Sequence, residues 1–219
     1  MSKDKKKPKR NRILLPLIII FSGFILGVLF AEHTKDGLKI HETEGILWPY
    51  PPKLNEFFLI DKDDQPFTLD DFKGRWSIIF FGFANCPDIC PSTLMEMSKA
   101  EAKLRAFPEF GQSGQLIFIS VDPDRDTPSI LKTYTSHFSS NLQAVSGGRD
   151  ELRIIAKSVG AIFLKVDSEK NNYSMDHSAG IFFISPDATL FSVLTPPIVD
   201  TAILNRMNNA VKAYQTLNP

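Results

Sequence analysis

The sequence predicts an α/β domain, a central mixed sheet flanked by helices, carried behind one N-terminal transmembrane helix. Three observations carry this expectation. An uncharged run of nineteen residues, Ile13 to Ala31, follows a cluster of seven basic side chains. From about residue 54 onward, short β-branched and aromatic runs alternate with helical stripes, the pattern of parallel strand pairs joined by helices. Near the end, "GIFFISPDATLFSVL" reads as two strands joined by a turn, which adds antiparallel pairing.

The N-terminus divides into three stretches. Residues 1–12 hold Lys3, Lys5, Lys6, Lys7, Lys9, Arg10 and Arg12 against a single Asp4. Residues 13–31, at about 1.5 Å rise per residue, span roughly 29 Å, close to the thickness of a bilayer core. Signal-peptide cores are shorter and end at a small–x–small site. "VLFAEH" offers no such pair and no cysteine follows, so an uncleaved anchor is expected. The positive-inside rule keeps residues 1–12 in the cytoplasm and exports the rest. The lysine-rich leader is unlike a mitochondrial transit peptide, so the expected location is a bacterial inner membrane, single-pass, with a periplasmic C-terminal domain. Residues 32–53, with Pro49, Pro51 and Pro52, read as an extended stalk. Residues 54–217 form one domain, long enough to bury most of its apolar surface.

Charge supports export and excludes one class of partner. The chain has 25 basic and 25 acidic side chains; residues 1–12 take seven and one of them, leaving 18 and 24. An acidic exported domain is poorly suited to nucleic acid, whose binding rests on neutralised phosphates.

The elements follow in order. "FFLID" and "PFTLDDF" suggest short strands or a hairpin. "WSIIFFGFA" (76–84) is almost continuously apolar, as in a strand buried on both faces. From Pro91 to Phe107 a helical stripe runs through Leu94, Met97, Ala100, Leu104 and Phe107, with Pro91 at the first helical position. "QLIFISVD" (115–122) is a second buried strand, and a helix follows from Pro128 to His137, capped by Asp126 or Thr127. "LQAVSG" is a short strand, 150–159 a helix closed by Gly160, and "AIFLKVD" another strand. The polar stretch "NNYSMDHSAG" reads as a loop before the final hairpin, and 199–216 as the last helix, with Ile203, Met207, Ala210 and Tyr214 on one stripe. Strand, cysteine pair, helix, late hairpin and last helix, in that order, match a thioredoxin-like fold with insertions.

Chemistry concentrates in "FANCPDICPS" (83–92), which holds both cysteines of the chain, Cys86 and Cys90. The strand-to-helix junction places them at a helix N-terminus, where the dipole favours a thiolate and lowers thiol pKa below about 8.5. Such a pair can form a disulfide, cycle as a redox dithiol or bind a soft metal. A structural disulfide closing so small a loop removes little entropy from the unfolded chain. A metal needs further ligands. His33 and His41 fall in the stalk, and His137 at a helix end, where a cation suits the dipole. His177 precedes a buried strand that faces the cysteine loop, and either joins the cysteines as a ligand or bonds its neighbour Asp176. Two thiolates and one imidazole suit Cu(I) or Cu(II), whereas structural zinc takes four protein ligands. Met175 either offers a weak thioether or simply packs; Met95 and Met97 fall on the helix and read as core or surface residues rather than ligands. The absence of a C-x-x-C-H motif excludes c-type haem. In "SVDPDRDTPSILKTY" (120–134), Asp122 closes a strand on the same sheet edge as Cys86 and either supports the ligands or shapes the turn with Asp124 and Asp126; Arg125 and Asp126 suit an ion pair.

The stretches "GFANCPDICPSTL", "VDPDRDTPSILKTY" and "YSMDHSAGIFFISPDA" resemble the three signatures of the Sco (SenC) family, in the same order and at similar spacing. The resemblance covers roughly residues 50–217. It implies a thioredoxin-like domain that binds one copper ion through Cys86, Cys90 and His177, with Asp122 and Asp176 as supporting candidates. It implies delivery of copper to, or reduction of, the binuclear copper centre of cytochrome c oxidase subunit II, with a metallochaperone as the first reading and enzymatic thiol–disulfide exchange left open beside it. The other reading is a thiol–disulfide oxidoreductase in which Cys86 and Cys90 keep partner cysteines reduced. Asn85, where threonine is common, and "SPDATL", which lacks the usual glycine, depart from the family pattern away from the ligands.

Overall fold

A computed structural model describes residues 51–111, 113–167 and 173–218, together with Phe21, Ser22, Phe24 and Ile25. The chain divides into two units, 1–43 and 44–219. In the first, the four described residues are helical and exposed. The basic tail, most of the 13–31 span, His33, His41 and the stalk up to residue 50 lie outside the described residues. Among the described residues, no helix is long and apolar enough to cross a membrane.

The second unit is built on a seven-stranded mixed sheet. Its strands are β1 (Phe58–Asp61), β2 (Pro66–Thr68), β3 (Ser77–Gly82), β4 (Gln115–Ser120), β5 (Gln143–Ser146), β8 (Ile181–Ile184) and β9 (Leu190–Leu194), in the order β2-β1-β5-β4-β3-β8-β9. β3, β4 and β5 are parallel, with Ile79 opposite Ile117 and Phe118 opposite Ala144. β1 and β8 add antiparallel partners at either side. β3 and β4 are buried along their whole length, which explains why both read as unbroken apolar runs. β6 (Phe163–Asp167) and β7 (Tyr173–His177) form a separate antiparallel pair.

Among the described residues of this unit, four α-helices accompany the strands, α1 (Ile89–Leu104), α2 (Pro128–Ser136), α3 (Arg149–Ser158) and α4 (Asp200–Leu217), with one 3-10 turn at Leu69–Phe72. α1 and α4 pack on each other, α2 on β5 and α3 on β1. Leu94, Met97, Ala100 and Leu104 are the buried stripe of α1, as their spacing predicts. Thr127 caps α2, its hydroxyl accepting from the Ile130 N–H at 3.4 Å. Tyr214 of α4 lies edge-on to Trp76 and Phe191.

Several boundaries differ from the sequence reading. α1 begins at Ile89 rather than Pro91, so Cys90 sits inside the first turn. Pro91 is tolerated there because first-turn N–H groups have no partner within the helix. Phe107 lies beyond the helix, in the turn after it. The stretch read as a polar loop before the last hairpin contains β7. Its alternation of exposed and part-buried residues was masked by the polarity of Ser174, Asp176 and His177. The chain also joins the sheet slightly earlier than residue 54, since Leu190 N–H donates to the Pro52 carbonyl at 2.9 Å.

Candidate metal centre

The site begins with a strand that ends in glycine. Gly82 closes β3, and a methyl group there would meet Cys90 Sγ at 2.7 Å and Phe118 at 2.8 Å. The missing side chain is the space into which the Cys90 thiol folds. Isolated glycine within a strand often marks such a close approach. The next residues, Phe83 to Asp88, form the loop, and α1 then carries Cys90 back over the end of β3. Cys90 is fully buried and Cys86 half-buried.

β7 brings the third group. His177 Nε2 lies 3.3 Å from Cys90 Sγ. Nδ1 lies 3.2 Å from the Ser178 carbonyl, which can only accept, so Nδ1 carries the proton and Nε2 presents its lone pair to the sulfur. The ring stands edge-on to Phe80 and Phe83, each 5.9 Å away between centroids. One ligand atom each from Cys86, Cys90 and His177 lies within 4.8 Å of the others. Among the described residues this is the one such group of three. Both cysteines are free thiols.

Electrostatics correct one expectation. Cys90 stands in the first turn of a helix, yet burial pushes its thiol pKa up, and Cys86 and Asp126 add to the rise against a lowering hydrogen bond with the Phe83 backbone. Loss of water outweighs the helix dipole at a fully buried sulfur. His177 shifts the other way from a histidine's usual range: burial lowers its pKa, opposed by the Ser178 carbonyl and by Asp176. The imidazole is therefore neutral at pH 7. This set offers two sulfurs and one unprotonated nitrogen, a donor set for a soft metal.

The profile of the SCO1/SenC family matches residues 51–212. The chain belongs to the SCO1/SenC family. A relative from Stutzerimonas stutzeri is 37% identical over 191 residues, 87% of this chain and 91% of that one. Among solved structures, Bradyrhizobium japonicum ScoI with copper bound is 33% identical, with a TM-score of 0.62 over 71% of this chain and 98% of that one. Yeast Sco1 with copper bound is 30% identical, with a TM-score of 0.67 over 75% of this chain and 91% of the other.

Around the Sco-type trio, the remaining candidates take different places. Asp122 is buried, and its carboxylate is held by Arg125 Nε and, at 2.7 Å, by the Tyr173 hydroxyl. Its partners are thus Arg125 and Tyr173, the first residue of β7, rather than Cys86, Cys90 or His177. Arg125 pairs with Asp122, not with Asp126. Asp126 instead turns inward, where Oδ2 accepts from Ala84 N–H at 2.8 Å and from the Ser120 hydroxyl. It pins the first residues of the cysteine loop. Asp176 lies on the outer, exposed face of β7 opposite Leu164, in a shallow cleft beside His177, and acts on the ring through space. His177 bonds Ser178 rather than Asp176. Met175 and Met97 are core residues, Met95 is exposed, and His137 caps the end of α2. Sequence reasoning missed Gly82 and the aromatic pair Phe80 and Phe83. A glycine inside "SIIFFGF" was the available signal for the first; nothing local identifies the second.

Proposed function

We propose that this chain is a membrane-anchored copper carrier that binds one copper ion, Cu(I) or Cu(II), through Cys86, Cys90 and His177. It would pass the ion to the binuclear copper centre of cytochrome c oxidase subunit II, or to a similar copper-receiving protein. The observation that carries this reading is the convergence of two free thiols and a neutral imidazole within 4.8 Å. The copper-bound family structures support it. Three ligands also suit release: an incoming ligand from a partner can join the open side and displace them one at a time. Half-buried Cys86 and His177 are the groups such a ligand reaches first, while Cys90 holds from within. The uncharged run 13–31 and its basic flank support anchoring in a bacterial inner membrane with the domain in the periplasm.

A second reading keeps the same residues and moves electrons. Two free, adjacent thiols, one half-buried and one buried, suit exchange in which Cys86 attacks a partner disulfide and Cys90 resolves the mixed disulfide. The partner gains two thiols as Cys86 and Cys90 become a disulfide. Copper titration of wild type and His177→Ala separates the two. The carrier reading expects one copper per chain and a loss of affinity of tenfold or more in the variant. Unchanged copper affinity in His177→Ala, with retained thiol exchange, would favour the second reading.

A further inference from the structure

The hairpin that carries His177 is not part of the main sheet. Among the described residues, β6 and β7 pair only with each other. A lone two-stranded hairpin is marginally stable in water. On its outer face Leu164, Val166, Ser174 and Asp176 are exposed. On its inner face Tyr173, Met175 and His177 alternate toward the domain, and Met175 alone of these is buried. Register matters here: a slip of one residue would turn Asp176 or Ser178 toward the cysteines in place of His177.

Arg125 closes this gap. It stands in the loop between β4 and α2, three residues after Asp122. Its Nε donates to Asp122 Oδ2, and its Nη1 donates to the Tyr173 carbonyl at 3.1 Å. Its guanidinium lies over the Tyr173 ring, 3.8 Å from the centroid. The Tyr173 hydroxyl returns to the other Asp122 oxygen at 2.7 Å. Asp122, Arg125 and Tyr173, the last through both its hydroxyl and its main-chain carbonyl, close a ring of hydrogen bonds around a buried carboxylate. The guanidinium also reaches 5.8 Å from the Phe83 ring, against which His177 stands.

Resting on the metal-site reading above, we infer that Asp122, Arg125 and Tyr173 are positioning residues: they clamp the start of β7 and so aim His177, four residues on, at Cys86 and Cys90. The clamp explains why a buried aspartate beside the site touches no ligand. It also gives the R-D-T-P stretch a divided task, with Arg125 on the histidine strand and Asp126 on the cysteine loop.

The test is a double-mutant cycle on the whole chain with Arg125→Ala, Tyr173→Phe and His177→Ala. Cu(I) affinity is read by competition with a chelator, and the apo His177 ring and β7 amides by NMR and hydrogen exchange. Arg125→Ala is expected to lower copper affinity about tenfold to a hundredfold. In the His177→Ala background it should add almost nothing, because the residue it aims is gone. In the apo protein, amides of residues 173–177 should exchange at least tenfold faster in Arg125→Ala, with the amides of β3 unchanged. Tyr173→Phe keeps the ring under the guanidinium and should show a smaller effect of the same kind. Full additivity in the cycle, or an unmoved His177 ring and unchanged β7 exchange, would overturn the clamp. Should His177→Ala bind copper like wild type, the ligand reading falls, and the apo ring and exchange data alone then decide the clamp.

Discussion

Gly82→Ala tests how tightly the cysteine site is built. The added methyl would stand 2.7 Å from Cys90 Sγ, 2.8 Å from Phe118 and 3.2 Å from Phe80. Ordinary contact between such atoms begins near 3.5 Å, so the sulfur or the methyl must retreat by roughly 0.8 Å. Phe118 cannot yield easily, because it is fully buried in the central strand β4 and stacks on Phe80. Overpacking of this kind costs about 1–3 kcal/mol. Loss of glycine's freedom in the unfolded chain returns about 0.4–1 kcal/mol. A net loss of about 1–2 kcal/mol lowers Tm by a few degrees for a domain of this size. The larger effect falls on the ligand set, since a functional group displaced by more than about 0.5 Å leaves its productive geometry. Copper affinity should drop about tenfold or more. The assay is chelator competition for Cu(I) beside a thermal melt of the apo protein. Wild-type affinity together with a wild-type melt would refute the argument that Gly82 makes room for the sulfur.

Other outcomes follow from the same geometry. Copper uptake should depend on pH: the Cys90 thiol, raised by burial, is protonated at neutral pH and must lose its proton to bind. Affinity should therefore rise about tenfold per pH unit for each proton released between roughly pH 6.5 and 8. His177, lowered by burial, adds a further acid-side loss only as pH falls below the usual histidine range of about 6.5. Flat affinity between roughly pH 6.5 and 8 would contradict the thiol assignment, and an affinity loss by histidine protonation already above that interval's lower end would contradict the imidazole assignment. Asp126→Ala leaves the Ala84 N–H without its acceptor and should cost about 1–3 kcal/mol. The cysteines of that variant should react faster with a disulfide reagent, measured by absorbance at a fixed thiol concentration. Phe118→Ala, in the middle of the sheet, should destabilise by about 3–5 kcal/mol in chemical denaturation.

Much of this was legible in the chain. β3 and β4 announce themselves because burial on both faces demands an unbroken apolar run, and α1 because one face of it is core. The two cysteines were legible as the chemical centre by residue type and by their place at a strand-to-helix junction; position alone left His177 between joining them and bonding Asp176, and the resemblance to the Sco family supplied the trio that the structure brings together. β7 was not, since a strand outside the main sheet needs little apolar surface and its residues look like a loop. The clamp was hidden for a different reason. Asp122 and Arg125 are near in sequence, but Tyr173 lies about fifty residues on, and no local pattern joins them. The thiol pKa was misjudged because the helix dipole can be read from a motif, whereas the burial that overrides it cannot.

The central claim is that one copper ion sits on two sulfurs and one nitrogen supplied by this chain. X-ray absorption at the copper edge, on the Cu(I)-loaded protein and on His177→Ala, tests it most directly. One copper with two sulfur neighbours and one imidazole nitrogen is expected in the wild type, and loss of the nitrogen in the variant. Copper bound by sulfur alone in both proteins, or substoichiometric copper in the wild type, would contradict it.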